Sequence, residues 1–327
     1  MRSRRRQLLA AIAIGALWPL AACHPHVKGL SKEKTMKKYP LKPYAVGRYL
    51  IDLPEAATEV SWGQRFAGMS IEWTNNSEAK FEHLLAEKRH ALIGRHMDRP
   101  ILLEEKRAKD GNTHFYLFQQ TSPETGLLEV NAYRYSHELK GFHFFSSQID
   151  PERSKEGLPY AERVVQAVQP RLITSTMTDR GACFDHAFVS GGDPSNFEDV
   201  AVMVSFNDIN LSFSTQVIDA VDTGPTLLER STILDRFPEV ILLRQSAREV
   251  ARLNGEELAY KTKRGSGITS HSFEWDYIGK PNSIMAPRMK VLLDIERGVA
   301  AALLPDEELL GVWDAILGSI RLRTGAV

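Results

Sequence analysis

Alternation of apolar and polar positions divides the chain into two stretches built on similar lines, and helical spacing marks where each turns back on itself. Tyr49, Ile51 and Leu53 alternate with Leu50 and Asp52 until Pro54, which predicts a strand. A second short strand is expected at Met69–Trp73. Ser77 then stands as an N-cap before Phe81, Leu84, Leu85, Lys88 and Leu92, whose spacing is that of a helix with one apolar face. Strands are expected at Thr113–Gln119, Leu128–Tyr135 and Gly141–Ser147, the first two joined through Ser122-Pro123-Glu124-Thr125-Gly126. A helix near Pro159–Val168 carries Ala161, Val164, Val165 and Val168 on one stripe.

Pro170 and the Ser/Thr-rich Thr174–Thr178 read as a boundary, with a hinge near residues 170–181. Beyond it, strands are expected at Cys183–Val189, Val200–Phe206 and Ile209–Thr215, followed by a helix opening at Thr223-Gly224-Pro225. Asn254-Gly255, between Ala247–Leu253 and Glu256–Lys261, is the strongest hairpin signal. His271, Phe273, Trp275 and Tyr277 alternate with polar residues, as do Met289, Val291, Leu293 and Ile295 with Lys290, Leu292 and Asp294. The last helix begins at Pro305 with Asp306, Glu307 and Glu308, acids suited to a helix N-terminus. Its stripe is Leu309, Leu310, Trp313, Ile316, Leu317 and Ile320. The same order of elements in both halves predicts an α+β fold of two related domains, residues 46–172 and 182–323. Each is expected to be an antiparallel sheet with helices packed on one face.

The N-terminus changes the setting. Arg2, Arg4, Arg5 and Arg6 precede a mostly apolar run from Leu8 to Leu20, the layout of a secretory signal and too short for a spanning helix. Its end, Leu20-Ala21-Ala22-Cys23, resembles a bacterial lipobox. That resemblance implies removal of residues 1–22, lipidation of Cys23 and anchoring to a membrane on its periplasmic side. Two or more acyl chains suffice, at about 0.8 kcal/mol per buried methylene. Arg4-Arg5 keeps twin-arginine export open beside the general route. His24 stands where an Asp would retain an enterobacterial lipoprotein at the inner membrane, which favours the outer one. Residues 23–45, with six Lys, one Glu and three Pro from residue 24 on, are expected to form a basic tether.

Basic and acidic residues balance at 41 each, and four of the basic ones precede Cys23, leaving 37 against 41. A nucleic-acid binder is not expected from a mildly acidic chain. With Cys23 lipidated, Cys183 has no partner in the chain, and its neighbours Phe184 and Phe188 suit a buried, inert thiol.

Motifs for catalysis are missing. Gly265-Ser266-Gly267 lacks the Gly two residues before the Ser that a nucleophile elbow has, and His137-Glu138 continues into Leu139-Lys140-Gly141 instead of a zinc motif. His83 and His90, seven apart on a helix, are too far apart to share an ion. His114 and His143 are expected half-buried on strands. The pairs Glu198-Asp199 and Glu256-Glu257 are expected as solvated carboxylates in turns, and Glu198 and Asp199 as candidate partner contacts. Whether either pair has the separation of a glycosidase site is a spatial question. No catalytic residue, cofactor or metal site is expected.

The stretch Val46-Gly47-Arg48-Tyr49-Leu50-Ile51-Asp52-Leu53-Pro54, the Phe273-Glu274-Trp275 strand and the closing Ser319-Ile320-Arg321-Leu322-Arg323 together resemble one family. It is the two-domain immunity proteins that protect bacteria from type VI-secreted lipase effectors of the fourth family. The resemblance covers residues 46–323 and implies an exported, often lipid-anchored, non-enzymatic protein whose partner is a cognate phospholipase effector. The alternatives are a lipid-anchored periplasmic hydrolase and an envelope scaffold lipoprotein.

Overall fold

The computed structural model describes residues 40–327 apart from 56, 58, 94–99, 121–126, 207–208, 264–268 and 296–304. The leader, Cys23, the 122–126 connection and Gly265–Gly267 lie outside the described residues.

Folded structure starts earlier than expected. Strands β1 (Leu41–Val46) and β2 (Tyr49–Pro54) form a hairpin, so residues 41–45 belong to the body and not to a tether. Lys42 and Pro43 hid the alternation there. The first half continues as β3 (Glu59–Phe66), β4 (Met69–Asn75), α1 (Glu78–Ile93), β5 (Ile101–Arg107), β6 (Thr113–Gln119), β7 (Leu128–Ser136), β8 (Gly141–Ile149), α2 (Ser154–Ala167) and β9 (Val168–Pro170). The second half runs β10 (Gly181–Phe184), β11 (Ala187–Ser190), β12 (Asp199–Phe206), β13 (Ile209–Gln216), α3 (Leu227–Ser231), β14 (Val240–Val250), β15 (Leu253–Lys263), β16 (Thr269–Tyr277), β17 (Arg288–Ile295), α4 (Asp306–Ser319) and β18 (Arg321–Leu322).

The class is α+β, as expected, and its two halves share one strand order. Among the described residues, twelve strands form a single antiparallel sheet in the order β14-β15-β16-β17-β13-β12-β3-β4-β8-β7-β6-β5. The first half contributes 3-4-8-7-6-5 and the second 12-13-17-16-15-14, the same programme twice. The two sheets are fused through β3 and β12, where Ser61 faces Met203 and Gly63 faces Ala201. On the inner face, Val200, Val202, Val204 and Phe206 continue into Leu211, Phe213, Val291 and Phe273, all buried.

Two helices cover that inner face. α4 buries its whole expected stripe, Leu309 to Ile320, and α2 buries Leu158, Ala161, Val164 and Val165. Each fully buried Leu or Ile contributes roughly 1.5–3 kcal/mol. α1 packs instead on the outer face, where Phe81, Leu85 and Leu92 meet Tyr116, Phe118, Tyr133, Tyr135 and Phe142. The first half thus carries a helix on each face. The expectation of helices on one face fails in this detail because β6 and β7 are apolar on both sides, with Phe115, Leu117 and Val130 inward and Tyr116, Phe118 and Tyr133 outward, and each side needs a cover.

Three further expectations are corrected. The β14–β15 hairpin turns at Ala251-Arg252, both with positive φ (52° and 66°), and Asn254-Gly255 lies inside β15. Gly255 is required there because a Cβ would stand 2.6 Å from Trp275 Cε2. Cys183–Val189 is two strands, β10 and β11, turning at Asp185-His186, with His186 at φ 52°. The helix near residue 223 starts at Leu227, where Thr226 and Glu229 form a capping box.

Candidate functional site

The middle of the sheet has one dry face and one wet face. Along β12, β13 and β17 the buried positions alternate strictly with half-buried or exposed ones, the signature of a sheet covered on one side only. α1 stands over one end of the outer face and α3 over the other, the latter through Leu258 and the hydrogen bond from Leu228 N–H to Glu256 (2.8 Å). Between them β4, β3, β12, β13 and β17 form a floor that no other described element covers.

Small side chains, most of them polar, make up that floor. Ser61 comes from β3, Ala201 and Ser205 from β12, Asn210, Ser212 and Ser214 from β13. Met203 rises from the centre, 57% exposed, with Leu292 of β17 beside it. A groove of about 730 Å³ is bounded by Val60, Ser61, Met203, Asn210, Ser212 and Asp294. Charges toward the second half are already paired: Lys290 with Glu274 at 2.7 Å, and Ser272 Oγ donating to Asp294 at 2.6 Å. Short serines permit close approach of a partner backbone, and a single flexible thioether suits an apolar contact of variable shape. Among the described residues this face brings together no nucleophile and base.

The two candidate contacts separate. Asp199 opens β12 on the outer face, at the end of the floor, in a cleft with Arg65, Phe197, Gln216 and Asp219. Burial raises its carboxyl above the ordinary range, and Arg65 only partly counters this. Glu198 points the other way. It is 6% exposed and receives Arg48 through Nε (2.9 Å) and Nη2 (2.5 Å), so its reading as a solvated surface carboxylate is corrected. Glu257, 1% exposed, is likewise internal, accepting from Arg244 (3.0 Å), Arg248 (2.8 Å) and the Trp313 indole (2.6 Å). Glu256 and Glu257 alternate across β15, and Glu198 immediately precedes β12 on the side opposite Asp199, so one member of each pair faces the core. Residue type alone does not reveal the Arg that meets it.

Cys183 is fully buried and burial pushes its thiol up, against the pull of Arg171 and Arg323. His83 and His90 are exposed on α1. His143 is wholly buried, not half-buried, packing on Trp73 with ring centroids 4.7 Å apart, and burial lowers its pKa to about 3. No group of three metal-ligating side chains occurs among the described residues. The floor itself was missed in the sequence, although the serines at alternate positions of Ser205–Ser214 carried a signal for a wet face.

A model of the Tle cognate immunity protein 4 N-terminal domain matches residues 42–156, and one of the C-terminal domain matches residues 176–325. No curated protein matches by sequence. The fold is similar to the apo immunity protein TplEi of a Pseudomonas aeruginosa type VI secretion system. That match has a TM-score of 0.76 and 23% identity, over 89% of this chain and 100% of that one. It is also similar to a chain of the Tle4–Tli4 complex (TM-score 0.74, 22% identity, 88% and 98% covered). TplEi complexed with "L" peptide gives 0.68 and 22%, over 87% and 98%. With both halves matched in order across most of its length, the chain belongs to the Tle cognate immunity protein 4 family.

Proposed function

We propose that this protein binds and inhibits a cognate type VI-secreted phospholipase effector, docking it on the floor between α1 and α3. The observation that carries the reading is the broad, wet, serine-rich sheet face with Met203 at its centre, flanked by a helix from each half. Family membership supports it, as does the Tle4–Tli4 complex among similar structures. Inhibition is by occlusion: the bound body covers the effector's lid or active-site entrance and leaves its catalytic groups unaltered. The protein acts as a non-catalytic inhibitor in the periplasm, held to the membrane by lipid on Cys23.

Purified mature protein mixed with the effector encoded beside it should abolish phospholipid hydrolysis reversibly at one-to-one stoichiometry. Met203→Arg should weaken inhibition at least tenfold without shifting the thermal midpoint, because the side chain is mostly solvated. Inhibition at substoichiometric amounts, or a covalent change in the effector, would mean an enzyme. Unchanged inhibition by the Met203 variant would move the contact elsewhere. For the anchor, Cys23→Ser should release the protein from the membrane fraction and abolish lipid labelling. Retention of both would refute lipidation at that residue.

A further inference from the structure

We infer that the two halves are a reciprocal strand exchange within one chain, so that neither is a domain that folds or moves alone. Each half opens with a hairpin that packs apart from the large sheet: β1–β2 in the first, β10–β11 in the second. Each half ends, after its inner-face helix, in a short strand, β9 or β18. These closing strands do not return to their own hairpins. β9 pairs with β11 of the second half, and β18 pairs with β2 of the first.

The correspondence extends to single residues. Arg171 directly follows β9 and Arg323 directly follows β18. The Arg171 N–H donates to the carbonyl of His186, in the β10–β11 turn (2.8 Å), and the Arg323 N–H to that of Arg48, in the β1–β2 turn (2.9 Å). Both side chains are buried, and both guanidinium groups donate to backbone carbonyls. Arg171 reaches Ser175 (2.7 Å), Phe184 (2.8 Å) and Ala187 (3.3 Å). Arg323 reaches Met177, Asp179 and Gly181, the segment between the halves.

Further ties run the same way. The Asp52 N–H donates to Ser319 Oγ (2.9 Å), the Tyr49 hydroxyl donates to the Met285 carbonyl (3.0 Å), and Arg48 joins Glu198. The segment 170–181, expected as a hinge, is therefore clamped by two arginines. The floor between α1 and α3 is a rigid surface that exists before any partner arrives. Exchange of equivalent elements between two copies is a familiar route to dimers; here both copies lie in one polypeptide.

The test uses the full-length chain with a specific protease site inserted after Thr174, an exposed position, cut after folding. The cut halves should elute as one species at the intact mass. Protection from hydrogen exchange in β6–β7 and in β15–β16 should be lost at the same urea concentration. After cutting only, that midpoint should rise with protein concentration, as for a dimer. Separation of the halves in native buffer, or loss of protection at two urea concentrations, would overturn the proposal and restore two hinged domains.

Discussion

Arg48 sits in the turn between β1 and β2 and meets Glu198, 150 residues away, with two hydrogen bonds in a site closed to water. Its remaining donors reach the carbonyls of Ala326 and Gly191. Removing one partner of such a pair leaves the other charged and desolvated, a cost of about 3–5 kcal/mol. Arg48→Met should lower unfolding free energy by that order in urea titration, and Arg48→Met with Glu198→Met should recover most of it. A double variant as unstable as the single one would show that the carbonyls, not the carboxylate, dominate the site. Next to it, Gly47 has φ 57°, and a Cβ would stand 2.6 Å from Thr215 Oγ1, so this turn admits only glycine. None of this is legible in Val46-Gly47-Arg48-Tyr49, where Arg reads as a surface residue. The glycines mislead in the opposite sense: Gly255 suggests a turn and serves a tryptophan.

Elements whose apolar residues face one neighbour were legible, and those whose burial is decided by distant strands were not. β6 was read with its bounds, and α4 with its stripe, because each presents a regular face to a continuous core. β3 and β5 are not legible: β3 breaks its inward set Val60, Trp62 and Phe66 with Gln64, which is buried and accepts from the Asp185 N–H, and β5 is an edge strand, mostly exposed and ending in Glu104-Glu105-Lys106-Arg107. The floor depends on β3 meeting β12, a pairing that no local pattern encodes.

α4 itself is pinned by acids. Burial works to raise the Asp314 carboxyl, but the hydrogen bonds and charges of Arg244 and Arg248 outweigh it and hold it below the ordinary carboxylate range. At the start of the helix burial is likewise outweighed for Asp306, by Lys261 and His271. A folded pKa depressed below the unfolded value of about 3.9 gives stability that is complete above that value. It is lost as pH falls through the folded pKa. Asp199 and Asp276, both raised by burial, oppose this by favouring the folded state as they protonate. The urea midpoint should nonetheless fall below about pH 4, and Asp314→Asn should be less stable at neutral pH with a shallower acid decline. An identical decline in that variant would place the acid sensitivity outside α4.

At the scale of the molecule, β18 lies against β2 with Arg321 opposite Leu50, so the last strand of the chain completes its first hairpin. The consequence concerns the order of assembly. Strand pairing across nearly the whole sequence carries a large loop-closure cost and is slow to form. A chain made from its N-terminus cannot seat β2 until residue 322 has emerged, so the leading hairpin waits, unpaired on one edge, throughout synthesis. An exposed strand edge held that long invites association with other chains. If the chain crosses a membrane unfolded, that wait ends only on the far side.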